Sequence, residues 1–220
     1  MKKLNLILLM LPVMAVWSCK KSSTTPTTTT PTPTSTAVTV NSTPQYSFKA
    51  DGTTYSKVED GSSVTVNLSA DRNSGVNPGD SGSATYASSF DDAGGSVTYF
   101  SVSKSRLKFP ALCSGCTALY PANSDFKAFF NTRSYSYGNG LTVYGIELTW
   151  RDNSGVQWST SMGSGNQSGS SFSITDMKDM SQLGNYYVVI KASFNCTLYN
   201  SVGQSKILTE GIVVTDFENM

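Results

Sequence analysis

The chain has 220 residues, with 16 Lys and Arg against 15 Asp and Glu, a formal charge of +1. A near-neutral chain without a basic stripe lacks the electrostatic footprint of nucleic-acid binding. It contains no His, which excludes Ser-His-Asp and Cys-His catalysis and every His-ligated metal site, and nothing in the composition implies a cofactor.

The amino terminus opens with Met1-Lys2-Lys3, followed by an apolar run over residues 4–16 broken by Asn5 and Pro12. Basic residues followed by a short apolar stretch are the order of a secretory signal, and the run is short for a bilayer span. Val16-Trp17-Ser18-Cys19 then places an aliphatic residue at −3, a small residue at −1 and a cysteine. This resembles the lipobox of bacterial lipoproteins, with Trp17 departing from the small residue usual at −2. The resemblance implies a signal peptide over 1–18, diacylglyceryl transfer to the Cys19 thiol, and a membrane partner reached through lipid. The alternative is an ordinary cleaved leader with Cys19 incidental. Without Lys2 and Lys3 the charge becomes about −1.

Residues 22–36 are all Ser, Thr or Pro. Such a segment has no apolar surface to offset its ordering entropy and is read as a disordered tether. In polyproline II it reaches roughly 45 Å at about 3.1 Å per residue. Lipid anchor and tether together occupy 19–44, with 37–44 as further linker or a loose first strand. The domain proper is expected over 45–220.

Within that domain a period of two dominates. Tyr46-Ser47-Phe48 and Thr53-Thr54-Tyr55 flank Asp51-Gly52, a hairpin with an Asp-Gly turn. Val64, Val66 and Leu68 alternate with polar residues. Residues 71–82 read as a polar loop, and 97–102 as a strand entered through a turn beginning at Asp91-Asp92. Phe126, Phe129 and Phe130 at i, i+3 and i+4 predict one short helix over 124–131, capped by Asn123 or Ser124.

The clearest hairpin is expected over 142–162. Asn153-Ser154-Gly155 fits a three-residue loop with Gly155 in the left-handed region. That register opposes Asp152 to Val156 and Trp150 to Trp158. It gathers Ile146, Leu148, Trp150, Val156, Trp158 and Met162 on an apolar face, leaving Glu147, Thr149, Arg151, Gln157, Ser159 and Ser161 on a polar one. A slip of one residue would mix the two sets, so both tryptophans are assigned to the core. The strand 186–198 puts Tyr186, Val188, Ile190, Ala192, Phe194, Cys196 and Leu198 on one face. A turn at 200–203 leads into 204–208, and 212–217 makes a last strand. Some eight to eleven strands with one short helix give an all-β fold: an antiparallel β-sandwich, or a barrel-like variant of it.

Several local motifs resemble a group of uncharacterised Bacteroidota cell-envelope lipoproteins: Phe126-Lys127-Ala128-Phe129-Phe130, Gly155-Val156-Gln157-Trp158-Ser159-Thr160, Ser170-Ser171-Phe172-Ser173-Ile174, and Ala192-Ser193-Phe194-Asn195-Cys196-Thr197-Leu198-Tyr199. Gly203-Gln204-Ser205-Lys206 and Leu208-Thr209-Glu210-Gly211 extend the likeness, which covers roughly residues 120–215. It implies a β-sandwich at the outer membrane, on either its periplasmic or its surface side, and implies no activity or catalytic residue.

The candidate chemistry is modest. Cys113-Ser114-Gly115-Cys116 is too far from a βαβ setting for a redox motif, and with Cys196 it lacks a fourth zinc ligand. A disulfide in an oxidising envelope is the expected use: Cys113 with Cys116, leaving Cys196 free, or one of the two with Cys196. Asp71, Asn73, Asn77 and Asp80 are oxygen ligands without EF-hand spacing. Glu59-Asp60 and Asp91-Asp92 are adjacent carboxylates better explained as turn residues than as a glycosidase pair. Tyr135, Tyr137, Tyr187 and Tyr199 are candidate contacts for a glycan or protein ligand, because tyrosine combines an apolar body with a polar tip. The expected function is a non-enzymatic binding or assembly module of the envelope. The alternatives are a fimbrial or adhesin-like subunit and, less favoured, a carbohydrate-active enzyme.

Overall fold

The computed structural model describes residues 38–73, 81–92, 98–110, 121–138, 144–182 and 184–220. Cys19, the Ser/Thr/Pro segment, Cys113, Cys116, Asn77 and Asp80 lie outside the described residues. The elements in chain order are β1 (Gln45–Ala50), β2 (Thr53–Val58), β3 (Val64–Asn73), β4 (Ser81–Asp92), β5 (Tyr99–Pro110), α1 (Asn123–Phe129), β6 (Arg133–Tyr135), β7 (Ile146–Arg151), β8 (Gln157–Ser159), β9 (Ser171–Gln182), β10 (Asn185–Tyr199) and β11 (Ser205–Glu218).

The strands form one antiparallel sheet in the order β2-β1-β11-β10-β8-β7-β5-β4-β3, with β9 on β10 and β6 on β9 as a branch. The sheet curls until its inner faces meet, as right-handed twist demands of so many strands. Across that interior the buried hydroxyls of Ser88 on β4 and Thr215 on β11 are 2.5 Å apart, and the Tyr86 hydroxyl donates to Asn219 Oδ1 at 3.1 Å. The all-β antiparallel expectation holds in this barrel-like form.

Alternation builds the core. Tyr46 and Phe48 of β1, Phe90 of β4, Phe100 of β5, Trp150 of β7 and Phe194 of β10 all point inward. They pack in edge-on, tilted and stacked pairs, with Tyr46–Phe100 centroids 4.6 Å apart, Phe48–Trp150 5.3 Å apart and Phe100–Phe194 stacked at 5.9 Å. Such geometry adds to simple area burial because ring edges and faces carry opposite partial charge. Helix α1 closes one end by seating Phe126 and Phe130 against Tyr86 and Phe217.

The two anticipated hairpins are present. Asp51 and Gly52 both take positive φ, 50° and 76°, and β1 pairs β2 from Ala50↔Thr53 to Gln45↔Val58 without a break. Trp150 pairs with Trp158, the Asp152 amide donates to the Val156 carbonyl at 3.0 Å, and Gly155 has φ 79°. The outer ends of this second hairpin differ from expectation. β8 is only three residues long, because the chain turns at Thr160, whose hydroxyl oxygen accepts the Leu148 amide at 3.1 Å. Val156 is consequently 38% exposed on the turn, and Met162 lies in a following turn beyond the apolar face.

Other expectations are corrected. The two ends of the expected polar loop at 71–82 are strand: Asp71 to Asn73 pair with Thr85 to Ser83, and Ser81 and Gly82 begin β4. β4 escapes a hydropathy reading because three of its inward positions are Gly82, Ala84 and Ser88, too small to mark a period. Gly82 is small of necessity, since a Cβ there would meet the Phe109 ring at 2.3 Å. Asp91 and Asp92 end β4, paired with Thr65 and Val64, and do not form a turn. The strand expected at 97–102 extends to Pro110 through an irregularity at Arg106, φ 58°. The last two expected strands are one, β11, interrupted by a bulge. The α1 N-cap is Ala122, with no side-chain cap bond; Asn123 instead accepts from Asn219 Nδ2 at 2.8 Å.

Residues 38–44, expected as linker or a loose first strand, dock on the outer face of the sheet without forming a strand. Val40 is buried against Val189 and Val214, flanked by Val38 and Met180, and Asn41 accepts from Lys178 Nζ at 3.1 Å. The folded body therefore begins before β1.

Candidate functional site

The four tyrosines are not brought together. The Tyr135 hydroxyl donates to the carbonyls of Phe129 (3.0 Å) and Asn131 (2.7 Å), tying β6 to the end of α1. Tyr137 donates to the carbonyls of Ser171 and Asn195 at 3.0 and 2.9 Å, and its ring packs on Phe172. Burial first, and the neighbouring Cys196 second, hold its pKa far above the usual tyrosine range. Tyr187 and Tyr199 sit at opposite ends of β10, roughly 40 Å apart at about 3.3 Å per residue. Three of the four hydroxyls are thus spent on backbone, since Tyr199 also donates to the Asn166 carbonyl at 2.9 Å.

Cys196 is a buried free thiol, and burial pushes its pKa up to about 12. Cys113 and Cys116, the other two cysteines of the expected disulfide, lie outside the described residues. The adjacent carboxylates have structural work. Asp60 Oδ1 accepts the amides of Val64 (2.9 Å), Ser62 (2.8 Å) and Ser63 (2.6 Å), which hold it well below the ordinary carboxylate range. Asp91 accepts from Asn67 Nδ2 at 2.7 Å. Asp92 takes Lys57 Nζ at 3.0 Å, a clasp between β2 and β4. Among the described residues no group of three metal-ligating side chains converges, and Asp71 and Asn73 lie on β3.

Two titratable groups were not singled out by the sequence. Lys104 points inward from β5 and is 5% exposed, its Nζ 3.9 Å from the centroid of Phe129 and 4.0 Å from that of Tyr135. Burial, and then Arg133, lower its pKa to about 7, while the two ring faces favour the ammonium and offset part of that cost. Asp216 on β11 is directly opposite Val189, beside the strap of residues 38–44. Burial first, and then the Glu59 carboxylate, push its pKa up to about 6. Strand periodicity gives no clue to either, because each lies on a face by parity and is buried by a distant segment.

A concavity that can take a ligand lies on the outer face of β1, β11 and β10. It has a volume of about 870 Å³ and is open to solvent, within the usual size range of small-molecule sites. The β11 bulge creates it. Phe194 pairs with Gly211 and Cys196 with Leu208, so Thr209 and Glu210 both face outward in place of one residue. Glu210 adopts φ 53° to do so. Gly211 lets the strand close over the core, since a Cβ there would lie 2.4 Å from the Phe194 ring. Bulges of this kind re-aim side chains at functional surfaces. The floor and rim carry Ser47, Ser193, Asn195, Thr197 and Thr209, and the loop 168–171 forms one wall. Glu210 is the charged group in the lining, and Lys49 Nζ meets its Oε1 at 2.7 Å. The groove therefore offers hydroxyls, an amide, the apolar side chains of Ile207 and Ile212, and an ion pair. It presents no nucleophile–base pair among the described residues. No protein-family model, no curated protein and no solved structure matches the chain.

Proposed function

We propose that this protein is a lipid-anchored cell-envelope protein whose β domain is a non-enzymatic binding module. In this reading Cys19 carries the lipid, residues 22–36 hold the domain off the outer membrane, and the groove beside the β11 bulge receives the ligand. The observation that supports binding over catalysis is the groove's inventory. Its lining donates and accepts hydrogen bonds at many points, and its one charged group, Glu210, is offset by Lys49. The lipid half rests on the Val16-Trp17-Ser18-Cys19 motif, because acyl chains contribute about 0.8 kcal/mol per buried CH₂ and hold a protein on a membrane without help from its surface.

A strand-exchanging fimbrial subunit is less well supported. Such a subunit needs a terminal strand that detaches, whereas β1 is flanked by β2 and β11, and β11 by β1 and β10. Mass spectrometry of the mature amino terminus, with fractionation of a Cys19→Ser variant, tests the anchor. The expected result is an acylated Cys19 in the native protein and release of the variant from membranes. An unmodified terminus, or a variant that stays membrane-bound, overturns it. Polymers that survive SDS would favour the fimbrial alternative.

A further inference from the structure

We propose that the groove beside the β11 bulge binds a neutral, polyhydroxylated chain, that is, an uncharged oligosaccharide; this rests on the reading of the groove as the ligand site.

Three observations lead there. The first is register. Ser56 of β2 pairs with Ser47 of β1, Ser47 with Ile212 of β11, Ile212 with Ser193 of β10, Ser193 with Ser173 of β9, and Ser173 with Ser134 of β6. One straight row of side chains, all serine but one, crosses the outer face and runs through the groove. At about 4.8 Å between strands it spans roughly 24 Å, the scale of an extended chain rather than of one small molecule. The Ser134 and Ser173 hydroxyls, 2.8 Å apart, show that neighbours in the row lie within hydrogen-bonding reach.

The second is charge. Glu210 is offset by Lys49 at 2.7 Å, and the remaining polar groups in the lining are neutral. An anionic glycan, a phosphate or a charged peptide meets no counter-ion there beyond the Lys49–Glu210 pair, whose members already face each other. A hydroxyl both donates and accepts, so Ser and Thr match sugar hydroxyls in either orientation.

The third is the position of the groove on a sheet face. An extended peptide gains its affinity by adding to a sheet edge, where backbone amides and carbonyls are free. On β1, β11 and β10 those groups are already used on both sides of each strand. Only side chains are on offer, which suits a ligand whose own hydrogen-bonding groups are peripheral hydroxyls. Ile207, 63% exposed at the groove, supplies an apolar contact for the C–H face of a sugar ring. With no exposed aromatic platform in the lining, affinity is expected to be weak, with Kd on the order of 1 mM.

The test uses the full chain carrying Cys19→Ser, to keep it in solution. Amide chemical shifts are followed while β-1,4-linked gluco-oligosaccharides, oligogalacturonate and a neutral peptide are titrated separately. The expected result is saturable shifts at Ser47, Ser193, Asn195 and Thr209 with the neutral glucan alone. A Ser193→Val/Thr209→Val double variant, both residues being exposed on the sheet surface, should bind about tenfold more weakly with an unchanged circular dichroism spectrum. Groove shifts with the peptide or the anionic glycan, but not with the neutral one, overturn the ligand class and leave the groove as the site. Shifts mapping elsewhere, or no saturable shift with any of the three, overturn both.

Discussion

Replacing Asp216 with Asn should stabilise the protein near neutral pH and do nothing in acid. Asp216 sits opposite Val189, next to the patch where Val40 docks on Val189 and Val214. Burial and the Glu59 carboxylate raise its pKa from 3.8 to about 6. A raised carboxyl pKa means the fold prefers the protonated form. Its favourable contribution is complete below the unfolded value near 3.9 and is lost as pH rises through about 6. The difference between about 6 and 3.8 corresponds to a ceiling of about 3 kcal/mol at neutral pH. The side chain keeps some solvent access, so about 1–2 kcal/mol is the realistic gain from Asp216→Asn. Urea denaturation of both proteins between pH 4 and pH 8 measures it, and their difference cancels the titration of carboxylates that do not interact with Asp216. The midpoints should coincide at pH 4 and separate progressively up to about pH 7. A pH-independent difference, or a variant less stable at pH 8, would refute the reasoning.

Gly211→Ala should cost about 1–3 kcal/mol, since the new methyl would stand 2.4 Å from the buried Phe194 ring; equal thermal midpoints would show that the bulge relaxes freely. The Cys196 thiol, buried with a pKa up to about 12, should resist alkylation at pH 8 and label fully in denaturant, as read by site-resolved mass spectrometry; rapid labelling of the folded protein contradicts its burial. Lys104, with a pKa lowered to about 7, weakens the fold below pH 7, and that penalty lifts as pH rises from about 7 towards 10.5. Lys104→Met should therefore stabilise at pH 6 more than at pH 9. The reverse order would mean that the Phe129 and Tyr135 faces outweigh the loss of hydration.

How much of this was legible depends on how side chains mark their face. Where inward residues are large and outward ones polar, as along 186–198, each of the six positions from Val188 to Leu198 read as inward is buried. The Trp150–Trp158 register is likewise fixed locally, by Gly155 and the Asp152–Val156 bond. β4 carries no such mark, because its small inward residues Gly82, Ala84 and Ser88 erase the contrast. The break between two expected strands at 208–212 is instead a bulge, which shifts the period by one residue and mimics an interruption. The candidate tyrosines were placed on plausible faces, but parity along a strand does not say whether another segment covers that face. Here the carbonyls of Asn131, Ser171, Asn195 and Asn166 take the hydroxyls of Tyr135, Tyr137 and Tyr199.

Alternation and turn chemistry were enough to reach an antiparallel β body, because each depends on residues a few positions apart. The groove, the aromatic enclosure of Lys104 and the perturbed carboxyl of Asp216 needed the tertiary structure. Each assembles residues from segments far apart in the chain: Ser47 with Thr209, Lys104 with Tyr135, Glu59 with Asp216. Nothing in a local window constrains which distant segment will lie across a given strand; that is decided by how the whole sheet curls to bury its aromatic face.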